Sequence, residues 1–339
     1  KEFGETIDEI RLDGLKVNYE LDILNDSKLN FEVSPSIAKV FAKFPTIIRE
    51  IEPDLIIVLG DRYEIFACVA SALFLKIPVA HIHGGEVSEG AFDESLRHAI
   101  TKMSHIHFTS SLVHKKRVEQ LGEDPEKVFN VGAPGVEAIQ SINLLSKKEL
   151  ENTLDIRFAK KNLLITLHPE TLEDNISPEN QINNLLNALE STNNISLVFT
   201  MANADPGGEI INQKIQAFVA DHPERSYLFP SLGQRKYLSV LNNSFAIVGN
   251  TSSGLIEAPS LNKPFLNIGN RQKGRMVGGN IINCKNSEES IKLGLEKLFK
   301  EDFKYYPNPF DGGNTSTRIL DIIRSIDLAS LTSKKFYDL

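Results

Sequence analysis

Cysteine is scarce: Cys68 and Cys284 are the only two in 339 residues. They stand too far apart for a C-x-x-C redox or zinc pattern and read as free thiols of a reducing cytosol. No apolar run is long enough to cross a membrane as a helix. The opening KEFGETIDEI is charged and lacks a secretory signal's apolar stretch, so the expected setting is cytoplasmic. It also reads as the interior of a domain, with no strand or initiator Met before it, so a missing N-terminal segment is expected. Positive charge is in deficit: 37 Lys and Arg against 45 Asp and Glu leave a net −8. That argues against a general nucleic-acid binder and leaves room only for local basic sites. Neither a G-x-x-x-x-G-K-[ST] loop nor G-x-G-x-x-G occurs, which disfavours triphosphate hydrolysis and simple NAD binding. There is no H-E-x-x-H, and the histidine spacing makes no metal site, so no metal is expected.

What is present is a soluble globular composition, 41% hydrophobic and 24% charged, in a chain long enough for two domains. The first half alternates strand and helix patterns. DLIIVLG (54–60) reads as a buried parallel strand and RYEIFACVASALFLK (62–76) as the helix after it. IPVAHIHGG (77–85), HIHFTSS (105–111) and the start of KVFNVGAPGVEAIQSI (127–142) read as further strands. DESLRHAITKMS (93–104) and LVHKKRVEQLG (112–122) read as helices between them. Around 144–162 charge rises and the strand rhythm stops, which marks a junction. A second series follows at 163–171, 195–208, 226–232, 245–254 and 264–275. The expected architecture is α/β, with two doubly wound parallel sheets facing each other. The expected domains are 1–150 and 151–314, with a C-terminal helix at 315–335 returning to the first.

In such sheets ligands bind off the carboxyl ends of the strands, and nearly every expected strand here ends in polar residues. Strand 54–60 leads to Asp61 and Arg62, and strand 77–82 to His83, Gly84, Gly85 and Glu86. Strand 163–167 leads to His168-Pro169-Glu170, and strand 245–248 to Gly249-Asn250-Thr251-Ser252-Ser253-Gly254. Each end also reads as helix capping or turn chemistry; their recurrence at the same end of both sheets points to a site. In GNTSSGLIEAPS (249–260) small hydroxyl residues precede an apolar helix, an arrangement suited to a diphosphate. Glu257, one turn further, can reach a ribose or complement the helix dipole. GNRQKGRMVGG (269–279) brings Arg271, Lys273 and Arg275, either as phosphate partners or as a solvated loop. His168 is a general acid–base candidate.

VLGDRYEIF, HIHGGEVSEGAFDESLRHAITKMSHIHFTS, HPET, GNTSSGLIEAPS and NIGNRQKGR, in this order, resemble the hydrolysing UDP-N-acetylglucosamine 2-epimerases of bacterial sialic-acid synthesis. The resemblance covers essentially the whole chain. It implies two facing Rossmann-like domains of GT-B type. It also implies conversion of UDP-GlcNAc and water to ManNAc and UDP, no cofactor, no nucleic-acid or membrane partner, and a homo-oligomer, dimer or tetramer. UDP binding would fall on Arg62, Thr251, Ser252, Ser253, Glu257 and Arg271, with Tyr237 near the uracil. Acid–base chemistry would fall on Asp61, Asp93 and His168, with Glu94 a weaker candidate. Two departures stand out. The family usually opens with a strand and a Gly-Thr/Ser-Arg loop that touches the diphosphate, and this sequence begins after it. Related epimerases often carry Glu where this chain has His83, and Glu86 follows on the same loop to supply a carboxylate. Three rivals remain: the same reaction on a UDP-diacetamido-trideoxyhexose (UDP-N,N'-diacetylbacillosamine) on the way to legionaminic acid, a GT-B glycosyltransferase, and a catalytically dead sugar-nucleotide sensor.

Overall fold

The computed structural model describes residues 7–23, 33–88, 92–170, 176–192, 194–202 and 207–338. They form two compact units. One comprises described residues of 17–88 and 92–137 with 310–338; the other comprises 7–16 with the described residues of 138–309.

The first unit carries β1 (Ile56–Leu59), β2 (Val79–Ile82), β3 (Ile106–Thr109) and β4 (Val128–Asn130), all parallel and in that spatial order. Helices Tyr63–Phe74, Asp93–Met103 and Leu112–Gln120 connect them. Successive strand residues feed opposite faces: Val79 packs with Val58, Val69 and Ile100, and Ala80 with Ile106 and Phe108. Helix Thr315–Ser325 adds Ile319 to the second of these clusters. The expected burial on both faces does not hold for β1. Among the described residues it pairs only with β2, and Ile57 and Leu59 are 51% and 55% exposed while Val58 is buried.

The second unit is a six-stranded parallel sheet. It holds β5 (Lys161–Thr166), β6 (Ile195–Thr200), β7 (Ser226–Phe229), β8 (Ala246–Gly249), β9 (Phe265–Ile268) and β10 (Ile281–Cys284), in the order β10-β9-β8-β5-β6-β7. Alternation again divides the core. Leu163, Ile165, Leu197 and Phe199 go to one side, and Leu164, Val198 and Ile247 to the other. Each such side chain contributes about 1.5–3 kcal/mol when fully buried. The order reverses between β5 and β8, which opens a crevice beyond their carboxyl ends.

The units divide at 137/138 and 309/310, where the sequence pattern suggested 150/151 and 314/315. The reason is helix Lys147–Leu154. Its charged residues form a solvated face with a capping box at Ser146 and Glu149, while Leu150 is fully buried in the second unit's core. Just before it, Leu145 N donates to Ser239 Oγ at 2.9 Å.

Candidate functional site

In the first unit the chain leaves β1 through Gly60, at φ +86°, and presents Asp61 and Arg62 before helix Tyr63–Phe74. Arg62 is half exposed; its Nε donates to Glu64 Oε1 at 2.7 Å and its guanidinium lies 5.5 Å from the Tyr63 ring centre. Asp61 is met by Arg97, which no motif had singled out. Arg97 is 1% exposed. Its Nη2 donates to Asp61 Oδ2 and, at 2.7 Å, to Ser88 Oγ. Its Nη1 donates to Glu94 Oε2 at 2.7 Å and to Glu86 O at 2.9 Å. Burial works against this cation, but Asp61, Glu86 and Glu94 outweigh it and raise its proton affinity. Glu94 is the converse case. Burial lifts its carboxyl, but Ser88 N–H at 2.5 Å, Arg97 and His98 together hold it below the usual range. Glu94 is thus an ionised anchor for the network.

Beyond β2, His83 adopts φ +71°. His83 Nδ1 lies 2.5 Å from Glu86 Oε1, and Ser110 Oγ donates to the same oxygen at 2.8 Å. His114 Nδ1 then donates to Ser110 at 2.8 Å. Burial pushes His114 down to about 4, so it stays neutral near pH 7. Asp93 opens helix Asp93–Met103, one turn before Arg97. The structure therefore ties Asp61, Glu86, Glu94 and His83 into one cluster, with Asp93 at the head of the helix that anchors it.

In the second unit, His168 follows β5 and is 7% exposed. Asn250, just after β8, clasps its backbone: Asn250 Oδ1 accepts from His168 N at 2.7 Å, and Nδ2 donates to His168 O at 2.8 Å. The Asn250 carbonyl accepts from Gln272 Nε2 at 2.6 Å and Arg271 Nη1 at 3.3 Å. Gly249 makes the approach possible. At φ +133° its Cβ would stand 1.9 Å from Thr166 O. Burial first, then the Arg271 charge, pushes His168 down to about 3, so its imidazole is neutral near pH 7. Of the basic loop, Arg271 turns inward while Lys273 is exposed.

Tyr237, on helix Gly233–Asn243, lies beside Ser253, Thr166 and Thr251, with Glu257 near. Burial raises its phenol far above the usual value, and the Glu257 charge adds to this. Thr251 Oγ1 accepts from Ser253 N at 3.3 Å. The apolar helix expected after Ser252 is a single turn, Ser253–Ile256, followed by a 3₁₀ turn at Ala258–Leu261 that contains Pro259. Ser252 makes no side-chain cap bond. So short a helix has little macrodipole; what remains for an anion is a run of hydroxyls and backbone N–H groups. Thr171, Asn203 and Asp205, polar residues of the expected segments 163–171 and 195–208, lie outside the described residues. Among the described residues no group of three His, Cys, Asp or Glu could hold a metal ion, and no helix is long and apolar enough to cross a membrane.

Parallel sheets with interleaved helices in two units, the second with the strand order of a dinucleotide-type fold, define a two-unit Rossmann-like α/β protein. A family model described as UDP-N-acetylglucosamine 2-epimerase matches residues 1–324, and the chain belongs to that family. It is 39% identical over 345 residues to a GDP/UDP-N,N'-diacetylbacillosamine 2-epimerase (hydrolyzing) of Campylobacter jejuni, covering 100% of this chain and 88% of the relative. It is 36% identical to the polysialic acid biosynthesis protein P7 of Escherichia coli, covering 99% and 87%. Its fold matches the crystal structure of UDP-GlcNAc 2-epimerase from Neisseria meningitidis bound to UDP-GlcNAc, with a TM-score of 0.81 at 20% identity, covering 95% and 89%.

Proposed function

We propose that this chain is a hydrolysing 2-epimerase that takes UDP-GlcNAc and water to ManNAc and UDP, as a source of ManNAc for sialic-acid synthesis. The observation that carries the reading is the carboxylate cluster at the strand ends of the first unit, ordered around Arg97, in a chain of this family. The C2 proton of the sugar is not acidic, so its removal needs a positioned base. A base takes that proton, the C1–O bond to UDP breaks, and a C1–C2 double bond forms. Water then adds its oxygen to C1, and a proton is delivered to C2 on the opposite face. Asp61, Asp93 and Glu86, the last backed by His83 and Ser110, are the groups to share these transfers. The leaving diphosphate needs donors and positive charge. Thr251, Ser252, Ser253 and Arg271, in the second unit, are the groups to supply them, with Glu257 for the ribose and Tyr237 beside the nucleotide; Arg62 is the further cation that the resemblance implies. His168 starts neutral, and a bound diphosphate would raise its proton affinity toward that of a working acid–base group.

A second reading keeps the chemistry and changes the sugar to UDP-N,N'-diacetylbacillosamine. The 39% identity to the Campylobacter jejuni enzyme favours it. Turnover of both sugars by the full-length protein in deuterium oxide and in oxygen-18 water tests both readings. Epimerised free sugar with deuterium at C2, oxygen-18 at C1 and unlabelled UDP is the expected result. Unepimerised free sugar would mean simple hydrolysis, and a glycoside would mean a transferase. A control on product alone measures slow exchange at C2 through the open-chain form.

A further inference from the structure

Asp61 is held from behind as well as from the side. His81, on β2, is fully buried, and both of its ring nitrogens are engaged. Nε2 lies 2.9 Å from Gly60 O, and Nδ1 lies 3.2 Å from Thr101 Oγ1. A carbonyl oxygen can only accept, so the proton sits on Nε2, and Nδ1 accepts from the Thr101 hydroxyl. Burial pushes this ring down to about 3 against the pull of Gly60 O, with His107, His83 and Arg97 adding in the same direction, so the tautomer is neutral. Gly60 N donates to Ile82 O at 3.1 Å. Because the peptide group is planar, fixing Gly60 O fixes the plane that contains Asp61 N and Cα. The space around the pair is also full: a Cβ on Gly84 would come within 3.1 Å of both His81 Nδ1 and Thr101 Oγ1. Thr101 lies one turn beyond Arg97 on helix Asp93–Met103. One helix thus grips Asp61 twice, by its carboxylate through Arg97 and by its backbone through Thr101, His81 and Gly60.

We propose that His81, oriented by Thr101, is a positioning residue that sets the Gly60–Asp61 peptide and so holds the Asp61 carboxylate for proton transfer. It touches no substrate. The proposal rests on the reading of Asp61 as an acid–base group.

The test compares kcat and KM of full-length wild type, Asp61→Asn, His81→Leu, His81→Gln, Thr101→Val and Thr101→Ser, on whichever UDP-sugar wild type turns over. Misplacing a reacting group by about 1 Å costs on the order of a hundredfold. His81→Leu should therefore lower kcat by roughly tens-fold with KM within about threefold. His81→Gln, whose amide N–H can reach Gly60 O, should recover most of that loss. Thr101→Val should lose several-fold, on the order of one hydrogen bond, and Thr101→Ser should restore it. A His81→Leu enzyme that melts earlier but keeps wild-type kcat per UDP-binding site would overturn the proposal while leaving Asp61 in place. If Asp61→Asn itself turns over normally, the reading beneath the proposal falls and the proposal falls with it. Should His81→Leu fail to fold, nitrogen-15 shifts of wild-type His81 decide. A neutral Nε2–H ring from pH 6 to 8 supports the assignment; an Nδ1–H ring or an imidazolium overturns it.

Discussion

Arg97 serves four oxygens at once: Asp61, Glu94, Ser88 and the Glu86 carbonyl. Removing it leaves carboxylates facing one another with their shared counter-charge gone. Arg97→Met should therefore destabilise the protein by about 3–5 kcal/mol, the usual penalty for breaking a buried ion pair from one side. Urea unfolding checks it. Asp61→Asn is a different kind of change, because the amide still fills the space. It should keep UDP affinity and lower turnover at least about a hundredfold; normal turnover by this variant would remove Asp61 from the chemistry. Arg97 itself escaped sequence reasoning for a physical reason. In DESLR the i, i+3 spacing of Glu94 and Arg97 is also that of an ordinary surface ion pair, and only the packing of that helix buries the guanidinium.

At the scale of elements, the alternation of strand and helix was legible from β-branched runs and their glycine stops, and so were the polar strand ends. Less legible were features that depend on contacts across the sheet. The Asn250 clasp joins segments 82 residues apart. The Ser110–Glu86 bond links two strand ends that only parallel pairing brings together. The apolar helix that Leu255 and Ile256 suggest lasts only one turn, 253–256, and Pro259 is the sequence's sign of that early end. With the dipole reduced, anion binding at this element rests on its hydroxyls and amides. Ser252→Ala with Ser253→Ala should weaken UDP binding by about 1–3 kcal/mol, read by calorimetry. Unchanged affinity would move the diphosphate elsewhere.

For the molecule as a whole, His81 in one unit and His168 in the other are both held near 3, against an ordinary 6.5. Their folded values are depressed, so the unfolded chain binds protons that the folded chain refuses. The stability at stake is fully present above pH 6.5 and is progressively lost as pH falls toward 3. Each histidine should add about 1.4 kcal/mol of lost stability per pH unit inside that window. Denaturant midpoints of wild type between pH 7 and pH 4 should fall accordingly, and those of His81→Gln less steeply.

The Asn250 clasp also has a consequence in time. Chain closure over 82 residues is slow compared with the formation of the flanking helices. On refolding, helical signal should therefore return first, and the capacity to bind UDP should return only in the phase that seats β8 against β5.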